Sequence, residues 1–290
     1  MKALNDISKL AEEFSACQKT LMAFGDENRQ HLILEMMQMG ECRGVRVGEI
    51  TEKTHLSRPA VSHQWRYKYM ELKEALRNRH SVRSYTDQPV ETVILKALQE
   101  EIDACNKEGD LHIQLITDEP KAFDCFMARY GKFSGVKNYI ALVGRKSADL
   151  DEKCGYYGER LALKAQQLGL NTCWVAMSYK KISGAFEVKS GEKLTVVIAL
   201  GYGKTQGVAH KSKSPSSVSN LNAASPQWFK DGVEAALLAP TAMNQQKFSL
   251  TYADGKVSAK SGTGFYTKLD LGIVKYNFEI GAGKENFNWD

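Results

Sequence analysis

Arg77-Asn78-Arg79-His80-Ser81-Val82-Arg83-Ser84-Tyr85 gathers three guanidinium groups and a hydroxyl, Ser81, just where a helix predicted over Met70 to Asn78 runs out. The rigid donor fork of arginine matches phosphate oxygens bidentately, and Ser81 adds a neutral donor, so the run is built to hold a phosphate. Cations are also favoured at a helix C-terminus by its dipole, and on charge alone a solvated basic helix end is the simpler reading.

A second stretch changes the balance. Ala239-Pro240-Thr241-Ala242-Met243-Asn244-Gln245-Gln246-Lys247-Phe248 closes an apolar helix predicted over Val233 to Leu238 and opens a strand predicted over Phe248 to Tyr252. Together the two stretches resemble the nitroreductase family of flavin enzymes. That family carries an R-R-S-x-R-like phosphate motif near its start and an A-P-S-x-x-N-x-Q-P motif after the following helix. Here the first reads R-H-S-V-R over Arg79 to Arg83. The second reads A-P-T-A-M-N-Q-Q over Ala239 to Gln246, with Thr241 for Ser and Lys247 for Pro.

Further matches follow from that resemblance. Lys132 falls where family members place a lysine beside the flavin pyrimidine ring. Cys173-Trp174-Val175-Ala176-Met177 matches a segment whose backbone lies by the flavin, and Lys211 and Lys213 match a K-x-R-x-P run near the phosphate. Lys213 keeps the charge of the family's arginine but loses its fork. The resemblance therefore implies an FMN site made by Arg79, His80, Ser81, Arg83, Lys132, Trp174, Val175, Ala176, Met177, Lys211, Lys213, Pro240, Thr241, Ala242 and Asn244. For Trp174 taken alone, core packing is the default reading.

The family's A-P-S-x-x-N motif is absent from its usual place. After a helix predicted over Val93 to Ala104 the chain reads Asp103-Ala104-Cys105-Asn106-Lys107-Glu108-Gly109, and the motif returns only at 239–246. Conversely, Ala223-Ala224-Ser225-Pro226-Gln227-Trp228, before the later helix, holds no second R-x-S-x-R. Tyr157-Gly158-Glu159-Arg160 through Gly169 to Trp174 runs parallel to Leu271-Gly272-Ile273-Val274 through Gly281 to Trp289, each read as a helix that begins near one glycine and ends at another. Residues 68–290 thus read as two half-repeats, about 68–220 and 221–290, each keeping a different half of one flavin site. In the family that site lies between two subunits, so the complementary loss implies a monomeric pseudo-dimer with one FMN per chain.

Residues 1–67 read differently. Short helices around Val47 to Thr54 and Pro59 to Tyr67 flank His55-Leu56-Ser57, with Ser57 as N-cap and Pro59 in the first turn, where its missing N–H costs nothing. So short a turn suggests a helix-turn-helix. Ala23-Phe24-Gly25-Asp26-Glu27-Asn28-Arg29 and Ser57-Arg58-Pro59-Ala60-Val61-Ser62-His63-Gln64-Trp65 resemble the ArsR-like winged-helix family. That resemblance implies DNA contacts by Ser57, Arg58, Ser62, His63 and Gln64. The β-hairpin wing is missing, since Trp65-Arg66-Tyr67 passes directly into Tyr69-Met70-Glu71-Leu72. Nine basic and nine acidic residues cancel over 1–67, so the whole excess of +5 lies in 68–290, the reverse of a usual nucleic-acid module.

At 290 residues, 43% hydrophobic and 25% charged, the chain has the composition of an ordinary globular protein with room for two domains. It holds no apolar run of about 18 residues, and MKALNDISKLAEEF lacks a signal-peptide core, so no membrane partner and a cytoplasmic location are expected. Six cysteines without a C-x-x-C pair argue against a disulfide framework and a zinc site.

The expected fold is α+β: an N-terminal helical, winged-helix-like module followed by a nitroreductase-like mixed β-sheet flanked by helices. The resemblance implies that NAD(P)H reduces FMN and leaves before a nitroaromatic, a quinone or a similar electron-poor small molecule takes the electrons, a ping-pong cycle. No catalytic side chain is then needed, because the flavin N5 carries the chemistry. The alternative is a flavin- or redox-responsive transcription regulator acting through DNA, and a third reading is a flavin-binding protein without turnover; under each, a homodimer of the full chain through its N-terminal helices stays open.

Overall fold

The computed structural model describes residues 70–253 and 255–290, and Glu71–Asp290 forms one compact unit. The helix-turn-helix expected within 1–67, with Ser57, Arg58, Ser62, His63 and Gln64, lies outside the described residues.

A short helix, α1 (Leu72–Asn78), leads into an extended segment over 81–86. The chain then runs through α2 (Thr92–Gly109), β1 (Gln114–Ile116), α3 (Phe126–Tyr130), β2 (Asn138–Arg145), α4 (Leu150–Gln167), β3 (Asn171–Val175), β4 (Glu192–Gly201) and α5 (Pro215–Val218). It continues with α6 (Gln227–Ala236), β5 (Phe248–Ala253), β6 (Lys256–Ser261), α7 (Thr267–Ala282) and β7 (Asn288–Trp289). The mixed α+β architecture is the expected one. One sheet has the order β1-β2-β4-β3, with every neighbouring pair antiparallel, and the other the order β5-β6-β7. In the second sheet β5 and β6 are antiparallel whereas β7 joins β6 in parallel.

The run Tyr139-Ile140-Ala141-Leu142-Val143 is buried throughout, as a strand covered on both faces must be. Tyr139, Ala141 and Val143 join an aromatic cluster with Phe123 and Phe133. On the opposite face α4 presses on the sheet so closely that a Cβ on Gly158 would lie 2.4 Å from the Trp174 ring and 2.8 Å from Leu142.

Helices α4 and α7 cross with their backbones in contact. A Cβ on Gly272 would lie 1.9 Å from the Glu152 carbonyl oxygen, and one on Gly155 would lie 2.0 Å from that of Leu269. The sequence pattern has helices starting near Gly158 and Gly272, but both glycines are inside helices that begin well before them, at Leu150 and Thr267. Close approach, not helix termination, is what those glycines permit. Likewise α2 continues past Ala104 to Gly109, where Asp110 in left-handed conformation (φ 51°) ends it.

Candidate cofactor cleft

The segment after α1 is stitched into place by its main chain. Val82 N donates to Thr172 O at 3.0 Å, Tyr85 N to Ser134 O at 2.9 Å and Thr86 N to Tyr202 O at 2.8 Å, while Ser134 N donates to Arg83 O at 3.0 Å. Val82 and Tyr85 are buried in the core, where the Tyr85 hydroxyl donates to Val82 O at 2.7 Å. Ser81 and Arg83 are left exposed beside the sheet edge.

Facing them is a loop that follows α6. Met243, Asn244 and Gln246 all take positive φ, at 50°, 54° and 45°, a conformation that costs an ordinary residue about 1 kcal/mol or more. Side chains hold it. Gln246 donates from Nε2 to Lys211 O (2.9 Å) and to Asn244 Oδ1 (2.8 Å), and its Oε1 accepts from Lys213 N (2.8 Å). Asn244 Nδ2 donates to Lys211 O at 2.8 Å, and the Lys213 ammonium donates to Gln246 O at 2.9 Å. Thr241 Oγ1 accepts from Gln246 N at 3.0 Å.

Between the two segments opens a cleft of about 140 Å³. Ser81 and Arg83 line it with Trp174, Val175 and Ala176 of β3 and its end, and with Pro240, Thr241 and Ala242 of the loop. Motifs about 160 residues apart in sequence therefore meet within one chain. A cleft with an exposed guanidinium at one wall, a hydroxyl beside it and mainly apolar surfaces elsewhere suits an anionic ligand with a flat apolar body.

Several expected residues are placed otherwise. Arg79 does not line the cleft: it is 3% exposed, with Nε 3.3 Å from the wholly buried Glu159 carboxylate. Glu159 Oε2 also accepts from Trp174 Nε1 at 3.1 Å, and Arg79 Nη1 has no hydrogen-bond partner among the described residues. Burial pushes the Glu159 carboxyl up, offset by the Arg79 charge. A guanidinium turned inward onto a buried carboxylate is a structural pair first, since either charge alone would be costly there. His80 is half-buried, and burial with the neighbouring Arg79 charge lowers its ionisation. Lys132 is exposed, with φ 60°, and Met177 is 70% exposed, and neither lines the cleft. Phe133, next to Lys132, lies 5.9 Å from the Arg83 guanidinium. Lys213 is engaged on the loop carbonyl, and Asn244 N donates to Thr241 O at 2.9 Å, so that amide is committed within the loop and not offered to a flavin ring.

The model of the family described as "Putative TM nitroreductase" matches residues 71–282. This chain belongs to the nitroreductase family. It is therefore an oxidoreductase of that type. A solved "putative nitroreductase" from Thermotoga maritima is 21% identical, covers 75% of this chain and 86% of its own, and superposes with a TM-score of 0.54, which shows the shared fold. A Desulfovibrio desulfuricans protein of the same description, solved in complex with FMN, is 18% identical over 54% of this chain and 98% of its own, with a TM-score of 0.44. No curated protein matches the sequence.

Cys173 and Met243, which lie inside the quoted motifs but were not among the expected site residues, also line the cleft, and no motif pointed to Val196 or to a whole wall formed by Tyr266, just before α7, and by Leu269, Asp270 and Ile273 of α7. Asp270 is 2% exposed, and burial pushes its carboxyl up to about 6, against the hydrogen bonds from Gln245 and Ala242 that favour the charge. An aspartate inside an otherwise apolar helical stretch, Leu269-Asp270-Leu271-Gly272-Ile273-Val274, is the signal that could have found it.

Proposed function

We propose that the cleft binds FMN and that the protein passes electrons from NAD(P)H to a nitroaromatic, a quinone or a similar electron-poor acceptor. The carrying observation is that both halves of the cofactor motif line one cleft of one chain. The available groups fit FMN. Arg83 and Ser81 offer charge-assisted and neutral donors to a phosphate. Trp174 to Ala176 and Pro240 to Ala242 provide the opposed apolar walls a ring system needs. Bound there, FMN would supply the hydride chemistry that no side chain in the cleft can perform. The chain's own part is to orient it, exclude water with those walls and hold the phosphate.

The same observation supports one flavin per chain, with Ser81 and Arg83 from the first half and Pro240, Thr241 and Ala242 from the second. The element order supports half-repeats as well: α2-β1-α3-β2-α4-β3 is matched, apart from α3, by α6-β5-β6-α7-β7, with β4 inserted between β2 and β3 in the first sheet. Lys132, exposed beside Phe133, is proposed to reach the pyrimidine edge with its side chain.

The test is an absorption spectrum of the purified protein, identification of the heat-released cofactor, and sedimentation of the flavin-loaded protein. FMN, at one per chain, with NAD(P)H oxidation on adding a quinone, is the expected result. Release of FAD, or no flavin uptake from added FMN, would overturn the reading. Flavin bound only across two chains would overturn the single-chain site.

A further inference from the structure

Asp270 is the one buried carboxylate among the residues lining the cleft, and both its oxygens point at the cofactor loop. Oδ1 accepts from Ala242 N at 3.0 Å and Oδ2 accepts from Gln245 Nε2 at 2.7 Å. Ala242 follows the Pro240-Thr241 pair in the cleft wall, and Gln245 precedes Gln246, the residue that ties the loop to Lys211 and Lys213. Asp270 thus grips the loop on both sides of Met243 and Asn244, two of its three left-handed residues.

An isolated carboxylate is a poor choice for packing. Only burial and those two hydrogen bonds bear on its ionisation, and among the described residues it forms no ion pair. An apolar residue of similar size would satisfy the α7 packing without the desolvation cost. What an apolar residue could not do is accept two hydrogen bonds from a strained loop and so fix its shape.

We propose that Asp270 is a positioning residue whose carboxylate holds the Ala242–Gln246 loop in its left-handed form, pre-shaping the cleft wall for FMN. It acts through the loop and not by touching the reacting atoms. This rests on the flavin reading above.

A positioning role and a packing role part company in one variant. Asp270→Leu removes both acceptors yet suits an apolar cavity, so its melting temperature should equal or exceed that of the parent protein. Its affinity for added FMN, read by flavin fluorescence quenching, should nonetheless fall about tenfold or more, the loss expected for charge-assisted bonds to a strained loop. Asp270→Asn keeps an acceptor for Ala242 N but loses the one for Gln245 Nε2, whose amide is also held by Phe265 O at 2.8 Å, so FMN affinity should fall between those of the parent and the Leu variant. A Leu variant that binds FMN as tightly as the parent overturns the proposal, and so does an Asn variant as weak as Leu. If the Leu variant does not fold, Gln245→Ala decides, since Gln245 is partly exposed on the loop side of the contact. Weakened FMN binding with an unchanged melting temperature supports the proposal, and unchanged binding overturns it. Parent protein that takes up no FMN at all would instead sink the flavin reading itself.

Discussion

The two walls of the cleft are held by different means. Ser81 and Arg83 sit on a segment clamped by main-chain hydrogen bonds to Thr172, Ser134 and Tyr202, with Val82 and Tyr85 driven into the core. The opposite wall, Thr241 to Gln246, has no strand neighbour; beyond two main-chain bonds inside its own turn, Asn244 N to Thr241 O and Gln245 N to Ala242 O, its left-handed residues are held by side chains: Gln246, Asn244, Lys213, Thr241 and Asp270. The first wall can therefore lose an exposed side chain without changing shape, whereas the second stores strain that its side chains must hold. Beneath both lies the α4–α7 crossing, which carries β3 on one side and the Asp270 wall on the other.

The largest effect should come from removing what the walls share. Gly272→Val places carbon atoms within contact of the Glu152 carbonyl, where the nearest neighbour of a Cβ is backbone and cannot yield. The helices must separate, at a cost above about 3 kcal/mol. Urea unfolding should show a large loss of stability or no soluble protein, and parent-like stability would mean that the crossing is not the shared foundation.

Next in size is the pH dependence carried by Asp270. Its folded value of about 6 lies above the ordinary 3.8. The stability it contributes is therefore full below about pH 4 and lost as the pH rises through about 6, roughly 3 kcal/mol in all. Asp270→Asn cannot ionise and should flatten that part of the profile, so between pH 5 and pH 8 its urea midpoint should fall less than the parent's. Parallel profiles would show that the carboxylate is not buried as described. The sign is instructive: at neutral pH the loop contact is kept at the expense of global stability.

Gln246→Ala should cost about 2 kcal/mol of stability, since it leaves loop donors and acceptors around Lys211 and Lys213 without partners. Arg83→Ala, on the clamped wall, should leave urea stability within about 0.5 kcal/mol of the parent because the side chain is exposed. It should still weaken FMN binding by about 1.5 to 3 kcal/mol, as loss of a charge-assisted phosphate contact does. Equal stability losses for Gln246→Ala and Arg83→Ala would erase the distinction between the walls.

Much of this was legible in the sequence because it depends on local order. The R-H-S-V-R and A-P-T-A-M-N-Q-Q stretches, the apolar run of β2 and the helices around them are short-range patterns, and a residue's neighbours in the chain fix them. Ser81, Arg83, Trp174 to Ala176 and Pro240 to Ala242 line the cleft because the backbone of each motif points them there. What the sequence could not give is where a side chain turns once distant elements pack. Arg79 sits two residues before Ser81 and reads as part of the same basic cluster. Only the presence of Glu159, on a helix about 80 residues later, draws its guanidinium inward. Gly272 reads as a helix start until the α4 backbone is seen lying against it, since closeness between elements leaves no mark on composition. Asp270, alone among apolar neighbours, acquires its two partners only when a loop from before β5 folds over α7. Local pattern determined the elements and the motifs they carry. Tertiary packing alone decided which charges are buried and paired, because desolvation and partner geometry exist only once distant segments meet.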